Sequence, residues 1–188
     1  MSVRELTSEA LFDSVRKREV DFGIGPLIET AEFHFEPVLE DPFYALVPKR
    51  FLTTSKETIP LATLTNMPLL VLNAATALRA MLEATMKERH LTFTMRYEVT
   101  QAQTLISMAS AGLGAAILPK VALPGKIDAA TYALRIVNPS LVRQVAVITA
   151  KGQSLSPASL RLVQLLRQLI ADPDERPLAS RKSRIIDV

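Results

Sequence analysis

The sequence predicts an α/β fold with mainly parallel sheets, and two observations carry that reading. Short apolar runs of strand length alternate along the chain with segments whose apolar residues recur at helical spacing. In addition, 48% of the 188 residues are hydrophobic, which is enough to bury a real core in one large domain or two small lobes.

Taken in order, residues 3–6 read as a short strand. Thr7 and Ser8 then supply hydroxyls able to cap a helix with an apolar stripe of Ala10, Leu11, Phe12 and Val15 and a basic last turn of Arg16, Lys17 and Arg18. Residues 20–26 return as a strand ending in a glycine-proline turn, so the start of the chain makes one strand-helix-strand crossover. Residues 33–39 and 43–47 form an extended apolar stretch interrupted at Asp41-Pro42, the expected hinge where a strand passes from one lobe to another. Residues 59–64 read as a short helical turn before the buried strand 69–72, and Asn73, Ala74, Ala75 and Thr76 open a helix running to about Lys87.

Residues 92–99 alternate as a strand. Residues 101–111 carry Leu105, Ile106, Met108 and Ala109 at helical spacing until Gly112 ends the helix. Residues 113–119 are the next buried strand, with small residues where backbone passes closely. Residues 132–137 and 142–150 complete the strands, the last one returning toward the first lobe. Ser156-Pro157 pairs a cap with a proline at the first helical position, and Leu160, Val163, Leu166, Leu169 and Ile170 form the apolar face that follows. Beyond Asp172 the periodicity stops, and Pro173, Pro177 and the surrounding charges predict a disordered tail over 173–188.

Several chemistries are excluded by composition. With no cysteine there is no disulfide, thiolate metal site or cysteine nucleophile, and His34 and His90 form no helical metal-binding pair. No metal or cofactor is expected. Gly23-Ile24-Gly25 lacks the third glycine of a dinucleotide fingerprint, since position 28 is Ile. No serine sits in a G-x-S-x-G elbow, and the carboxylate pairs Glu40-Asp41 and Asp172/Asp174 fall in connector and tail, so no enzyme is expected. The net charge of +3 is scattered, its clearest cluster being Arg181, Lys182 and Arg184 in the tail, which reads as solvated surface. The start of the chain has no secretory signal and no segment has the length of a membrane span, so the cytosol is the expected location.

What remains is binding equipment. Thr7 with Ser8, Asn73 with Thr76, and Gln101 with Thr104 open helices, each immediately after an apolar strand. In a parallel sheet such turns converge at the carboxyl edge, where free backbone N–H groups favour an anion, and a small carboxylate is the natural ligand class. Each of these residues is equally readable as a simple cap.

The motifs together resemble the effector-binding domain of LysR-type transcriptional regulators, which shares its two-lobed, type II fold with periplasmic solute-binding proteins. The resembling pieces are Leu11-x3-Val15 leading to Val20-Asp21-Phe22-Gly23-Ile24-Gly25; Pro37-Val38-Leu39-x4-Phe43-Tyr44-Ala45-Leu46-Val47-Pro48; Leu78-Arg79; and Thr104-x7-Gly112-Leu113-Gly114-Ala115-Ala116-Ile117-Leu118-Pro119. The match runs over about residues 3–170.

The resemblance implies a first lobe of 1–39 plus 141–172, a second lobe of 40–140, helices on both sheet faces, and two crossings that act as a hinge. It places the ligand contacts at Thr7, Ser8, Gly25 and Pro26 in the first lobe and at Asn73, Ala75, Thr76, Gln101 and Thr104 in the second. It also implies a homodimer, a tetramer in a full-length parent, and operator DNA as that parent's partner but not this chain's. The alternative on the same fold is the solute-binding protein of a transport system, which needs export.

Two departures stand out. Nothing corresponds to the family's winged helix-turn-helix and linker helix, and the first lobe's first strand and helix are missing, which is expected of a truncated chain. Loss of a central strand leaves an apolar slot and unpaired backbone groups. Three remedies are open: residues 3–6 shift into the slot, another chain donates a strand, or the lobe is only marginally stable.

Overall fold

A computed structural model describes residues 2–28, 30–73, 77–93 and 95–171. Its strands are β1 (Gly23–Pro26), β2 (Phe33–Pro48), β3 (Thr58–Pro60), β4 (Leu69–Leu72), β5 (Met95–Val99), β6 (Ala115–Pro119), β7 (Thr131–Val137) and β8 (Val142–Ala150). Its helices are α1 (Ser8–Arg16), α2 (Ala77–Glu88), α3 (Ala102–Ser110) and α4 (Pro157–Ala171), with short 3-10 turns at Leu61–Asn66 and Lys120–Ala122.

The strands run in the order β1-β8-β2-β6-β4-β5, with β7 joining β2 to β3. β2 is the spine: its residues up to Pro42 pair with β8, while Phe43 onward pairs with β6 and β7. The two lobes therefore share one strand, and the change of partner falls between Pro42 and Phe43.

The second lobe is a sheet covered on both faces, and the two-residue period of a strand decides which side chain goes where. Phe43, Ala45, Val47, Leu69, Val71, Ala115 and Ile117 face Leu78, Leu82 and Met86 of α2. Leu46, Leu70, Ala116 and Leu118 face Leu105 and Ala109 of α3. The end of α3 is fixed by two bonds, Gly112 N–H to Ala109 O at 2.8 Å and Leu113 N–H to Met108 O at 3.0 Å. They require a residue with positive φ, and Gly112 sits at 78°. Gly114 answers a different demand: a Cβ there would lie 2.5 Å from the Pro68 carbonyl oxygen.

The first lobe is thinner. α1 packs Val15 against Phe33 and Ile148, with Leu11, Phe12, Phe35 and Ala150 around them. α4 lies near the rest of this lobe, where Ser156 caps it by accepting the Ser159 N–H at 3.2 Å. Of the apolar face expected for α4, Val163 is buried, whereas Leu160 and Leu169 are exposed.

Several expectations are corrected. Among the described residues three strand pairings are parallel and four antiparallel, so the sheets are mixed rather than mainly parallel. The parallel pairs are confined to the second lobe, because the spine β2 meets β6, β7 and β8 head to tail. Residues 3–6 form no strand: Val3 is 83% exposed, and a four-residue run without a sheet edge to pair with stays irregular. The strand-helix-strand crossover is therefore not formed, and the returning strand starts at Gly23 and contains Gly25-Pro26 rather than stopping before them. Among the described residues β1 is an edge strand paired on one side only, and residues 3–6 do not fill its open side. β8 lies between β1 and β2, in register with β1 over four residues and with β2 over nine. Asp41-Pro42 does not break β2, because both residues pair with β8; the irregularity is a bulge between Pro37 and Leu39. Residues 58–60 make a strand against β7 before the expected helical turn. The tail over 173–188 lies outside the described residues.

Candidate functional site

Two groups of expected ligand contacts are built by different elements. In the first lobe Thr7 has extended backbone, and its Oγ1 accepts the Ala10 N–H at 3.4 Å, capping α1. Ser8 opens the helix beside Gly25 and Pro26 of β1. Ser8, Gly25 and Pro26 line one cavity of about 490 Å³, closed by Leu11, by Val145 and Val147 of β8, and by Leu166 and Ile170 of α4. A Cβ on Gly25 would lie 2.6 Å from Leu11 Cδ2, so the glycine sets how closely α1 approaches the sheet.

In the second lobe the contacts gather at the carboxyl edge of the parallel β4–β5 pair. The Asn73 N–H donates to the Val99 carbonyl at 2.9 Å, extending the ladder one residue past β4 and fixing Asn73 next to the turn into α3. Gln101 is the N-cap residue of α3 with no side-chain capping bond, and both Gln101 and Thr104 are exposed. Ala75 and Thr76 lie outside the described residues. The structure thus brings Ser8, Gly25 and Pro26 together, and Asn73 with Gln101. Neither described cavity contains a residue of the second group.

Between the groups lies a feature that sequence reasoning missed. Asp41 is 1% exposed and Arg143 sits opposite it across β2 and β8, donating from Nε at 3.0 Å and Nη2 at 2.8 Å to Asp41 Oδ2. The Val121 N–H donates to Oδ1 at 3.2 Å. One carboxylate therefore joins both crossings between the lobes to the 3-10 turn after β6. A buried charge of this kind needs its full set of partners, and here it has them. A second cavity of about 510 Å³ opens beside it, lined by Glu40, Asp41, Lys120, Arg135 and Val142 among others. Asp41-Pro42 was visible in the sequence as a possible hinge, but Arg143 carried no signal, being 102 residues away.

Among the described residues no three His, Cys, Asp or Glu side chains cluster as a metal site, and no helix is long and apolar enough to cross a membrane. The arrangement offers hydroxyls, helix-start N–H groups and guanidinium, groups able to hold an anion.

Comparison with known proteins gives a consistent result. A family described as the LysR substrate binding domain matches residues 1–171. The chain is similar to an uncharacterised HTH-type transcriptional regulator, YfeR of Shigella flexneri, at 27% identity over 161 residues, covering 84% of this chain and 51% of that protein. It spans about half the length of the curated relatives it matches. Among solved structures it is similar in fold to the Synechocystis PCC6803 CcmR regulatory domain in complex with 2-PG, with a TM-score of 0.76, 16% identity, and 87% and 80% of the two chains covered. It is also similar in fold to the effector binding domain of QuiR in complex with shikimate, with a TM-score of 0.72, 16% identity, and 88% and 78% covered.

Proposed function

The chain belongs to the LysR substrate-binding domain family, and from that premise we propose that it is the non-catalytic, effector-sensing part of a cytoplasmic transcriptional regulator and takes a small anion between its lobes. The observation that carries the reading is the pair of adjacent crossings, β2 and β8, tied by Asp41 and Arg143. Two lobes joined at one such place respond to a ligand by changing their relative arrangement, provided the ligand contacts both. The first-lobe contacts are Thr7, Ser8, Gly25 and Pro26, and the second-lobe contacts are Asn73, Ala75, Thr76, Gln101 and Thr104. Exposed hydroxyls and N–H groups at the starts of α1 and α3 suit a carboxylate.

The lobes of this reading are 1–39 plus 141–172 and 40–140. CcmR and QuiR, solved with small molecules, support an effector as partner, and the similar CbnR, solved with its target DNA, supports operator DNA as the partner of a longer parent; a dimer as the working unit is part of the same proposal.

Native mass spectrometry of the whole chain, with and without a mixture of small carboxylates, tests this. The expected result is a dimer retaining one acid per chain, with retention reduced by Ser8→Ala and by Thr104→Val. Retention of no acid, or conversion of the acid to a product, would contradict it.

A further inference from the structure

The two cavities adjoin, sharing Leu39, Val121 and Ile170. Their walls differ in character. One part is apolar, built from alternate residues of strands in the first sheet, Ile24 of β1 with Val145 and Val147 of β8, and roofed by Leu166 and Ile170 of α4. The other part is cationic. Lys120 and Arg135 line it, both exposed, and neither makes an ion pair among the described residues.

Arg143 stands in the apolar part, where Nε and Nη2 are given to Asp41 and Nη1 makes no hydrogen bond among the described residues. Of the two acids facing the cleft, Asp41 is neutralised by Arg143, whereas Glu40 is hydrogen-bonded only to a neutral amide and keeps its charge. Asp41 is held by Arg143 and the Val121 N–H, and Glu40 accepts from Gln144 Nε2 at 2.8 Å. At the rim two apolar side chains are left to water, Val121 at 60% and Ile24 at 47% exposure. With Asp41 paired to Arg143, Lys120 and Arg135 face the single carboxylate of Glu40 and leave this part with an excess of positive charge, so the apolar cavity beside it fits an occupant that is apolar along its length and anionic at one end.

We propose that this cleft binds an amphipathic monocarboxylate, an aliphatic acid of medium chain length. Its chain lies along β1, β8 and α4, and its carboxylate points toward Lys120 and Arg135. The occupant touches the first-lobe sheet and also the 3-10 turn at Lys120–Ala122, whose Val121 N–H is held by the crossing residue Asp41. It therefore bears on the same crossing as the effector. The proposal shares Ser8, Gly25 and Pro26 with the effector reading above and goes beyond it in the occupant, since Asn73, Gln101 and Thr104 take no part in the cleft; it stands whether or not those three hold an effector.

The test is calorimetric titration of the whole chain with hexanoate, octanoate and decanoate below micelle-forming concentrations, and with 1-octanol as the uncharged counterpart of octanoate. Affinity should rise about fourfold for each methylene buried. Octanoate should bind about three- to tenfold more tightly than 1-octanol, and the double variant Lys120→Gln/Arg135→Gln should erase that difference. Val121→Trp, at a rim position that is 60% exposed, should fill the mouth and weaken decanoate by about tenfold or more.

Thr104→Ala should leave decanoate affinity unchanged while reducing retention of a small hydrophilic acid, which separates failure of this proposal from failure of the effector reading. The proposal is overturned by any of four results: no dependence on chain length, equal binding of octanoate and 1-octanol, decanoate binding indifferent to Val121→Trp, or decanoate binding lost in Thr104→Ala. It falls equally if decanoate binds only after removal of residues 172–188, because the occupant is then this chain's own C-terminal segment.

Discussion

The two lobes solve the same burial problem with very different resources. In the second lobe both sheet faces are covered, and the large side chains Phe43, Leu46, Leu69, Leu70, Leu82, Leu105 and Ile117 are essentially inaccessible. In the first lobe three buried residues, Val15, Phe33 and Ile148, anchor the α1 face, and the opposite face is left partly open beneath α4. The same chain thus holds a rigid half and a half with unfilled surface. Binding sites are drawn from regions with little buried contact, because those regions are the ones able to rearrange. The thin lobe is accordingly the one expected to respond, and the thick one the frame it responds against.

The comparison can be broken most directly by truncating core residues in each half. Phe43→Ala should cost about 3–5 kcal/mol, since its surroundings are closed on all sides and cannot collapse onto the void. Ile148→Ala should cost about 2–3 kcal/mol because the looser lobe relaxes around the gap. Equal losses in chemical denaturation would show that the lobes are equally packed and remove the contrast.

Asp41→Asn tests the tie between them. It leaves the Arg143 guanidinium without its carboxylate, and because that side chain is 32% exposed water takes part of the loss, so about 2 kcal/mol is expected. Its more telling readout is faster hydrogen exchange along both β2 and β8 at the crossing. Gly114→Ala should cost about 1–3 kcal/mol, because the new Cβ meets a backbone oxygen that has nowhere to go. Ser156→Ala is the smallest change, about 1 kcal/mol through loss of the cap on α4, and should leave the second lobe's exchange untouched.

What the sequence made legible was local. The αL glycine after α3, the cap and proline that open α4, the buried run of β6 and the limits of β8 all follow from residues next to one another, and all are found where expected. What it hid depends on partners distant in the chain. Residues 3–6 have strand composition yet no edge to join. β3 is only three residues long and exists because β7, more than 70 positions later, accepts it in parallel. The sense of pairing around β2 is likewise a tertiary fact: nothing in the residues 33–48 says that β6, β7 and β8 will all meet them antiparallel.

The candidate site divides the same way. Thr7, Ser8, Gln101 and Thr104 were readable as helix starts, which have local signatures, and their contact with a ligand is part of the proposal. Arg143 and the cations Lys120 and Arg135 were not readable, since only the fold brings them to the crossing.

The central claim is that a small anion is held by both lobes at once, and hydrogen exchange of the whole chain, measured with and without a mixture of small carboxylates, tests it most directly. The account predicts slowed exchange in two separate places on ligand addition, at the start of α1 with Gly25 and at Asn73 with the first turn of α3. Protection confined to one of the two, or absent from both, would contradict a ligand that bridges the lobes.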